Sequence, residues 1–278
     1  MSHAAFPAPA KLNLMLRVTG RRSDGYHLLQ TVFRFIDHGD TLHISVRKDG
    51  RIVRGRPLAG VTEADDLTLR AARALKEHTG CRLGAEIVLD KRLPMGGGLG
   101  GGSSDAATVL LALNHLWQTG LPRGQLQRLA LGLGADVPVF VFGRSALAEG
   151  IGDQLQPLQL EPAWYLVMVP PVTVPTREVF ADPALKRNSE KVKIQGFPVP
   201  SGNDLESVVC RTYPEVARHL DWLRTQAPAQ MTGSGACVFA AFAGAAAAEA
   251  AWSRRPAGMQ GFVARGLDLH PLLGLAEG

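Results

Sequence analysis

Cysteine is scarce in this chain of 278 residues, and the three present, Cys81, Cys210 and Cys237, lie far apart. Their odd number and the lack of any C-x-x-C spacing exclude a disulfide framework and a cysteine-based zinc site, and they point to a reducing compartment. A membrane-spanning run is missing as well. The longest stretch of small apolar residues, Ala236 to Ala248, is broken by Gly244 and stopped by Glu249, short of what a bilayer requires. Met1 to Pro9 has no basic segment leading into an apolar one, so it does not read as a signal peptide. A concentrated basic stripe is absent too. The net charge is only +5, and the densest cationic group, Lys186, Arg187, Lys191 and Lys193, reads as a solvated loop. The expectation is a soluble, cytoplasmic protein that engages neither membranes nor nucleic acid.

What is present is an ordinary globular balance, with 46% hydrophobic and 20% charged residues in a chain long enough for two modest domains. No internal repeat is visible. Leu12, Leu14, Leu16 and Val18 alternate as in a half-buried strand, which puts Lys11 and Asn13 together on the opposite face. Strands are expected over residues 31–36, 41–46, 85–89, 165–169, 237–242 and 262–267. Leu133-Gly-Ala-Asp-Val-Pro-Val-Phe140 is expected to lead into another strand-like segment. Helices are expected from Asp65 to His78, with Asp65 or Asp66 as cap and Gly80 as stop, and from about Ala106, with Ser103, Ser104 and Asp105 as caps. Further helices are expected near residues 123–133, 177–180, 204–211 and 214–225, and in the Ala-rich stretch after Phe242. The segment 152–162, with Pro157 and Pro162, marks a junction between domains of residues 1–155 and 156–278. Strands and helices alternate too irregularly for a doubly wound sheet, so the fold class is α+β in two lobes.

Six glycines, Gly96, Gly97, Gly98, Gly100, Gly101 and Gly102, cluster between a predicted strand and a predicted helix. Such a loop lets backbone approach an anion closely, at the positive end of a helix. It is not a Walker P-loop, because no lysine follows any glycine of the cluster. Gly96, Gly98 and Gly101 match the dinucleotide fingerprint formally, but after Asp105 no acidic residue occurs until Asp136, so its ribose-binding residue is missing. A G-x-S-x-G nucleophile elbow is also absent. A phosphate loop of another kind remains.

The run Pro94-Met95-Gly96-Gly97-Gly98-Leu99-Gly100-Gly101-Gly102-Ser103-Ser104 resembles the ATP-binding motif of the GHMP kinases, which phosphorylate small alcohols such as galactose, homoserine and mevalonate. Three more segments, Pro7-Ala-Pro-Ala-Lys-Leu-Asn-Leu14, Asp24-Gly-Tyr-His27 and Leu133 to Phe140, resemble the branch whose substrate is cytidine diphosphate methylerythritol, in non-mevalonate isoprenoid synthesis. Thr232-Gly-Ser-Gly-Ala-Cys237 resembles a C-terminal motif of the superfamily. The resemblance implies a two-lobed GHMP-kinase-like α+β fold with the active site in the cleft between lobes. It implies transfer of the ATP γ-phosphoryl to the substrate's 2-hydroxyl, with Asp136 as base and Lys11 as its partner. It also implies that Asn13 holds the erythritol portion, that Tyr26, His27 and Phe180 meet the cytosine, and that Thr176 lies near the substrate. Magnesium is expected with ATP, with Ser104 a candidate ligand and no acidic cluster to fix a metal by protein alone. A monomer or weak homodimer is expected. Asp105 receives no catalytic role, and Asn203-Asp204-Leu205-Glu206 resembles a segment of the same branch, although a helix N-cap explains it equally well. A nucleotide-binding module without turnover is the alternative from another class, and it would need neither Lys11 nor Asp136.

Overall fold

The computed structural model describes residues 4–194 and 199–276. Two long strands form its spine. β1 (Ala4–Arg21) and β2 (His27–Arg47) pair antiparallel around a short turn in which the Arg22 amide donates to the Tyr26 carbonyl. The two strands expected at 31–36 and 41–46 are thus one. The polar interval between them is a point of close approach, not a turn. A Cβ on Gly39 would sit 2.2 Å from the Ala8 carbonyl oxygen, and the register shifts there between Pro9 and Ala10. A second shift, between Asn13 and Met15, breaks the apolar alternation of β1. Leu12 therefore packs with Tyr165 and Val167, while Leu16 and Val18 join a different core.

On β2 builds the first half of the protein. β3 (Ile52–Arg54) runs parallel to β4 (Gly84–Asp90), and β4 pairs with β2. Helices α1 (Leu67–Thr79), α2 (Gly101–Leu116), α3 (Arg123–Leu131) and α4 (Val137–Phe142) pack against this sheet around Phe35, Leu110 and Phe140. α1 starts and stops where its sequence says: Asp66 accepts the Thr68 amide as N-cap, and Gly80 closes the helix at φ +67°. α2 is buried almost all round, which suits its run of Ala, Val and Leu. Its start differs from expectation. Gly100, at φ +72°, is the N-cap, so Ser103, Ser104 and Asp105 are helical residues and not caps. Val137–Phe142, for which no helix is expected, is also a helix, started by Pro138 in its first turn and buried on nearly every side.

β5 (Ala146–Glu149) pairs with β2, and β6 (Gln154–Pro157) pairs with β5, so part of the expected junction is strand. The second half is built from β7 (Trp164–Val169), β8 (Ala229–Met231), β9 (Val238–Phe242) and β10 (Gln260–Leu267), with α5 (Thr176–Ala181), α6 (Glu206–Thr212), α7 (Pro214–Arg224) and α8 (Ala245–Ser253). β10 pairs with β7 along Gln260 to Arg265, and then with β2 through Gly266 and Leu267. One mixed sheet therefore runs through both halves, in the order β3-β4-β2-β10-β7-β9-β8. The chain then returns to the first core, where Leu272 and Ala276 are buried. The architecture is α+β, as expected. No helix among the described residues is long and apolar enough to cross a membrane.

Asp66 does two jobs, since it also pairs with Arg54 at 3.2 Å while itself buried. Asp66→Ala is expected to lower stability by about 1–3 kcal/mol, through the lost cap and the stranded cation. Urea denaturation checks this, and an unchanged midpoint would remove Asp66 from the account of α1.

Candidate active site

Between the two halves lies a cavity of about 540 Å³, lined by the glycine loop, Lys11, Asn13 and Asp136 from one side and by Thr176, Phe180, Gly233 and Ser234 from the other. Its floor is a buried polar network. Lys11 Nζ donates to Asn13 Oδ1 at 2.6 Å and to the Gly98 carbonyl at 3.0 Å, and it forms an ion pair with Asp136 Oδ2 at 3.2 Å. Asn13 is fixed in turn. Its Nδ2 donates to Thr31 Oγ1 at 2.8 Å, and its backbone amide donates to Thr232 Oγ1 at 3.0 Å. Asp136 stands at the N-cap position of α4, yet its side chain caps nothing and turns to Lys11 instead. Lys11 is 2% exposed, whereas the Asp136 side chain keeps 39% exposure toward the cleft. The carboxylate can meet a substrate; the ammonium holds it in place.

The glycine loop is held by its carbonyls. Those of Gly97, Gly98 and Leu99 accept from the Cys237 amide, Lys11 Nζ and the Lys11 amide respectively. No amide of residues 95–103 donates to an acceptor among the described residues, so these N–H groups are left for a ligand at the N-terminus of α2. Gly98 shows why the loop needs glycine. Its φ is +76°, and a Cβ there would lie 2.2 Å from the Thr232 carbonyl oxygen.

Family models of the GHMP kinases match both halves, the N-terminal domain at residues 66–144 and the C-terminal domain at 185–259. The chain is 63% identical to the 4-diphosphocytidyl-2-C-methyl-D-erythritol kinase of Thiobacillus denitrificans over 269 residues, covering 96% of this chain and 97% of that one. It is 59% identical to the enzyme of the same name from Nitrosospira multiformis over 275 residues, covering 98% and 94% of the two chains. This chain belongs to the 4-diphosphocytidyl-2-C-methyl-D-erythritol kinase family. A crystal structure of a 4-(cytidine 5'-diphospho)-2C-methyl-D-erythritol kinase superposes with a TM-score of 0.82 at 35% identity, over 95% of this chain and 99% of that one.

Of the residues expected from this family's motifs, Pro94, Met95, Gly96 to Gly102 with Leu99, and Ser103 all line the cavity. Ser104 does not. Its side chain is fully buried, and its hydroxyl donates to the Pro9 carbonyl at 2.7 Å, so it ties α2 to β1 and is not free for a metal. Thr176 lies at the opposite wall, with its hydroxyl 2.7 Å from that of Ser234. Phe180 lines the cavity, and the His27 ring packs on it at 4.9 Å between centroids. Neither His27 nor Tyr26 is part of the cavity lining; His27 reaches the cavity wall only through its contact with Phe180, and Tyr26, 59% exposed, does not join them.

Several residues of the site have no local signal in the sequence. Thr31 reaches Asn13 only through the register of β1 on β2. Asn203 is not the cap of α6, whose N-cap position is Leu205 with no side-chain cap: its Nδ2 donates to the carbonyls of Met231 and Gly233 at 2.9 and 2.8 Å and shapes the turn facing the glycine loop. Lys91, beneath the loop, pairs with Asp40 at 2.5 Å and with Asp105 at 2.9 Å. Two carboxylates around one ammonium leave an excess negative charge. Asp40 Oδ1 also accepts the amides of Arg92 and Leu93, whereas Asp105 Oδ1 is buried without a partner among the described residues. Burial, above all, pushes the Asp105 carboxyl up to about 7.

Two outcomes are expected. Gly98→Ala should lower ATP affinity on the order of tenfold or more, the equivalent of at least one lost hydrogen bond. Calorimetric titration measures this, and unchanged affinity would show that the loop is not the nucleotide cradle. For Asp105, the folded state binds the proton more tightly than the unfolded chain, whose carboxyl titrates near 3.8. Stability should therefore fall as pH rises between about 4 and about 7. Asp105→Asn should flatten that slope in urea denaturation across the same range, and an unaltered slope would assign the titration elsewhere.

Proposed function

We propose that this chain transfers the γ-phosphoryl of ATP to the 2-hydroxyl of 4-diphosphocytidyl-2-C-methyl-D-erythritol, a step in the cytoplasmic non-mevalonate route to isoprenoid precursors. The observation that carries the reading is the Lys11–Asp136 pair, 3.2 Å apart at the base of a cleft whose other edge is a loop of unpaired amides. In this reading the loop amides and the N-terminus of α2 take the phosphates of ATP. The open carboxylate of Asp136 accepts the proton of the attacking hydroxyl, and Lys11 holds that carboxylate in line and offsets the charge that develops on the transferred group. Phosphoryl transfer asks little covalent chemistry of the protein, so a pair positioned this rigidly is the main requirement.

Asn13 would hold the erythritol portion beside Lys11, and Thr176 would approach it from the opposite wall. His27 and Phe180 would form the pyrimidine slot at the far end, with Tyr26 closing over the base from its exposed position. Magnesium would enter with the nucleotide. Among the oxygens that line the cleft near the loop, those of Asp136 and Ser103 suit an ion held mainly by phosphate and water, and it would supply charge neutralisation between the phosphates. We place the boundary between the lobes near residue 155, where the family models leave a gap between residues 144 and 185.

Release of ADP should be seen with ATP, magnesium and the cytidyl substrate, and not with homoserine or mevalonate, which have no pyrimidine. Asp136→Asn should reduce turnover by about 10²–10⁴-fold, the usual worth of a positioned base, with ATP affinity nearly unchanged. Near-normal turnover in that variant would show that Asp136 is not the base.

A further inference from the structure

Arg187 lies in the polar segment after α5 and fastens two pieces of the pyrimidine slot to each other. Its Nη2 donates to the carbonyls of Phe180 and Asp182 at 2.9 and 2.7 Å, and its Nη1 donates to that of Leu185 at 3.1 Å. These bonds grip the end of α5, which carries Phe180. Its Nε donates to His27 Nε2 at 3.1 Å, at the first residue of β2. The rings of His27 and Phe180 meet directly beside this guanidinium.

A guanidinium has five N–H donors, no acceptor, and a charge it does not lose in proteins. At this contact it can only donate, so His27 Nε2 can only accept. A neutral imidazole with a lone pair on Nε2 carries its proton on Nδ1. Burial, followed by the charges of Arg187 and Arg21, lowers the affinity of the ring for a second proton, which keeps it neutral. Nδ1 has no hydrogen-bond partner among the described residues, so its proton is available to a ligand.

We propose that Arg187 is a positioning residue that determines base specificity, by holding His27 as a ring that offers the pyrimidine an N–H donor and no acceptor. This rests on the reading of the cleft as a cytidyl site. Cytosine presents acceptors at O2 and N3. Uracil carries a hydrogen on N3, so a donor-only imidazole there faces a second donor. A polar group left facing its like in a desolvated slot loses more than the bond itself is worth. Arg187 thus selects cytosine over uracil without touching the base. The same guanidinium, through three carbonyls, keeps Phe180 where it can stack.

The experiment has two readouts on the full-length chain and its Arg187→Ala and Arg187→Lys variants. Proton–nitrogen correlation spectra of the histidine side chains, without ligand, should show His27 protonated on Nδ1 in the wild type and shifted to Nε2 in Arg187→Ala. Calorimetric titration should show CDP bound on the order of tenfold more tightly than UDP by the wild type. That ratio should fall toward one in Arg187→Ala and be largely kept in Arg187→Lys, which can still donate to Nε2. An Nε2 proton on His27 in the wild type overturns the proposal. So does a CDP-to-UDP ratio that stays at the wild-type value in Arg187→Ala. Failure of the cytidyl reading looks different: neither nucleotide binds the wild type although His27 carries its proton on Nδ1, and the specificity role then falls with that reading.

Discussion

The ammonium of Lys11 meets three oxygens, two by hydrogen bonds and one by an ion pair, and the position of each depends on a different part of the chain. One oxygen belongs to Asn13, which is braced by Thr31 and Thr232; one is the carbonyl of Gly98; one is the carboxylate of Asp136 at the start of α4. Burying a cation is costly unless it is fully hydrogen-bonded. This cation has two hydrogen bonds and one ion pair, which tie strand, loop and helix into one geometry. Loss of any acceptor would leave a buried donor unpaired and loosen the other two contacts.

From this constraint the rest of the cleft follows. Because Gly97, Gly98 and Leu99 turn their carbonyls inward to Cys237 and Lys11, the loop has its amides left over for a phosphate. Because Gly98 lies against the Thr232 carbonyl, the second half of the chain helps to set the shape of the loop, although the loop itself belongs to the first half. The shared sheet, joined where β10 passes from β7 to β2, gives both halves a common frame. Active sites of this kind gain most from groups already in place, since the charge of a transferring phosphoryl must be met without reorganisation.

Much of this was legible in the sequence, for definite reasons. A period of two sets Lys11 and Asn13 on one face, six clustered glycines mark the turn that opens an apolar helix, and Asp66 and Gly80 mark the ends of α1. What was hidden depends on partners distant in the chain. Val137 to Phe142 has the β-branched and aromatic residues of a strand, but burial within the first core outweighs that local preference. Ser103, Ser104 and Asp105 look like caps, yet a glycine at positive φ starts the helix one turn earlier and puts Ser104 against Pro9. The interval from Asp37 to Asp40 separates two expected strands, but it is itself strand, with Asp40 turned inward to Lys91. Arg187 had no motif around it, and only the folded chain shows that it meets both His27 and Phe180.

The central claim is that the Lys11–Asp136 pair directs the γ-phosphoryl of ATP onto one hydroxyl of a cytidyl alcohol. Phosphorus NMR of a mixture of the protein, ATP, magnesium and 4-diphosphocytidyl-2-C-methyl-D-erythritol tests it most directly. The account predicts loss of the γ-phosphate signal, formation of ADP, and one new phosphomonoester signal coupled to the erythritol, with the cytidyl diphosphate signals intact. Release of inorganic phosphate alone, or a spectrum that does not change, would contradict it.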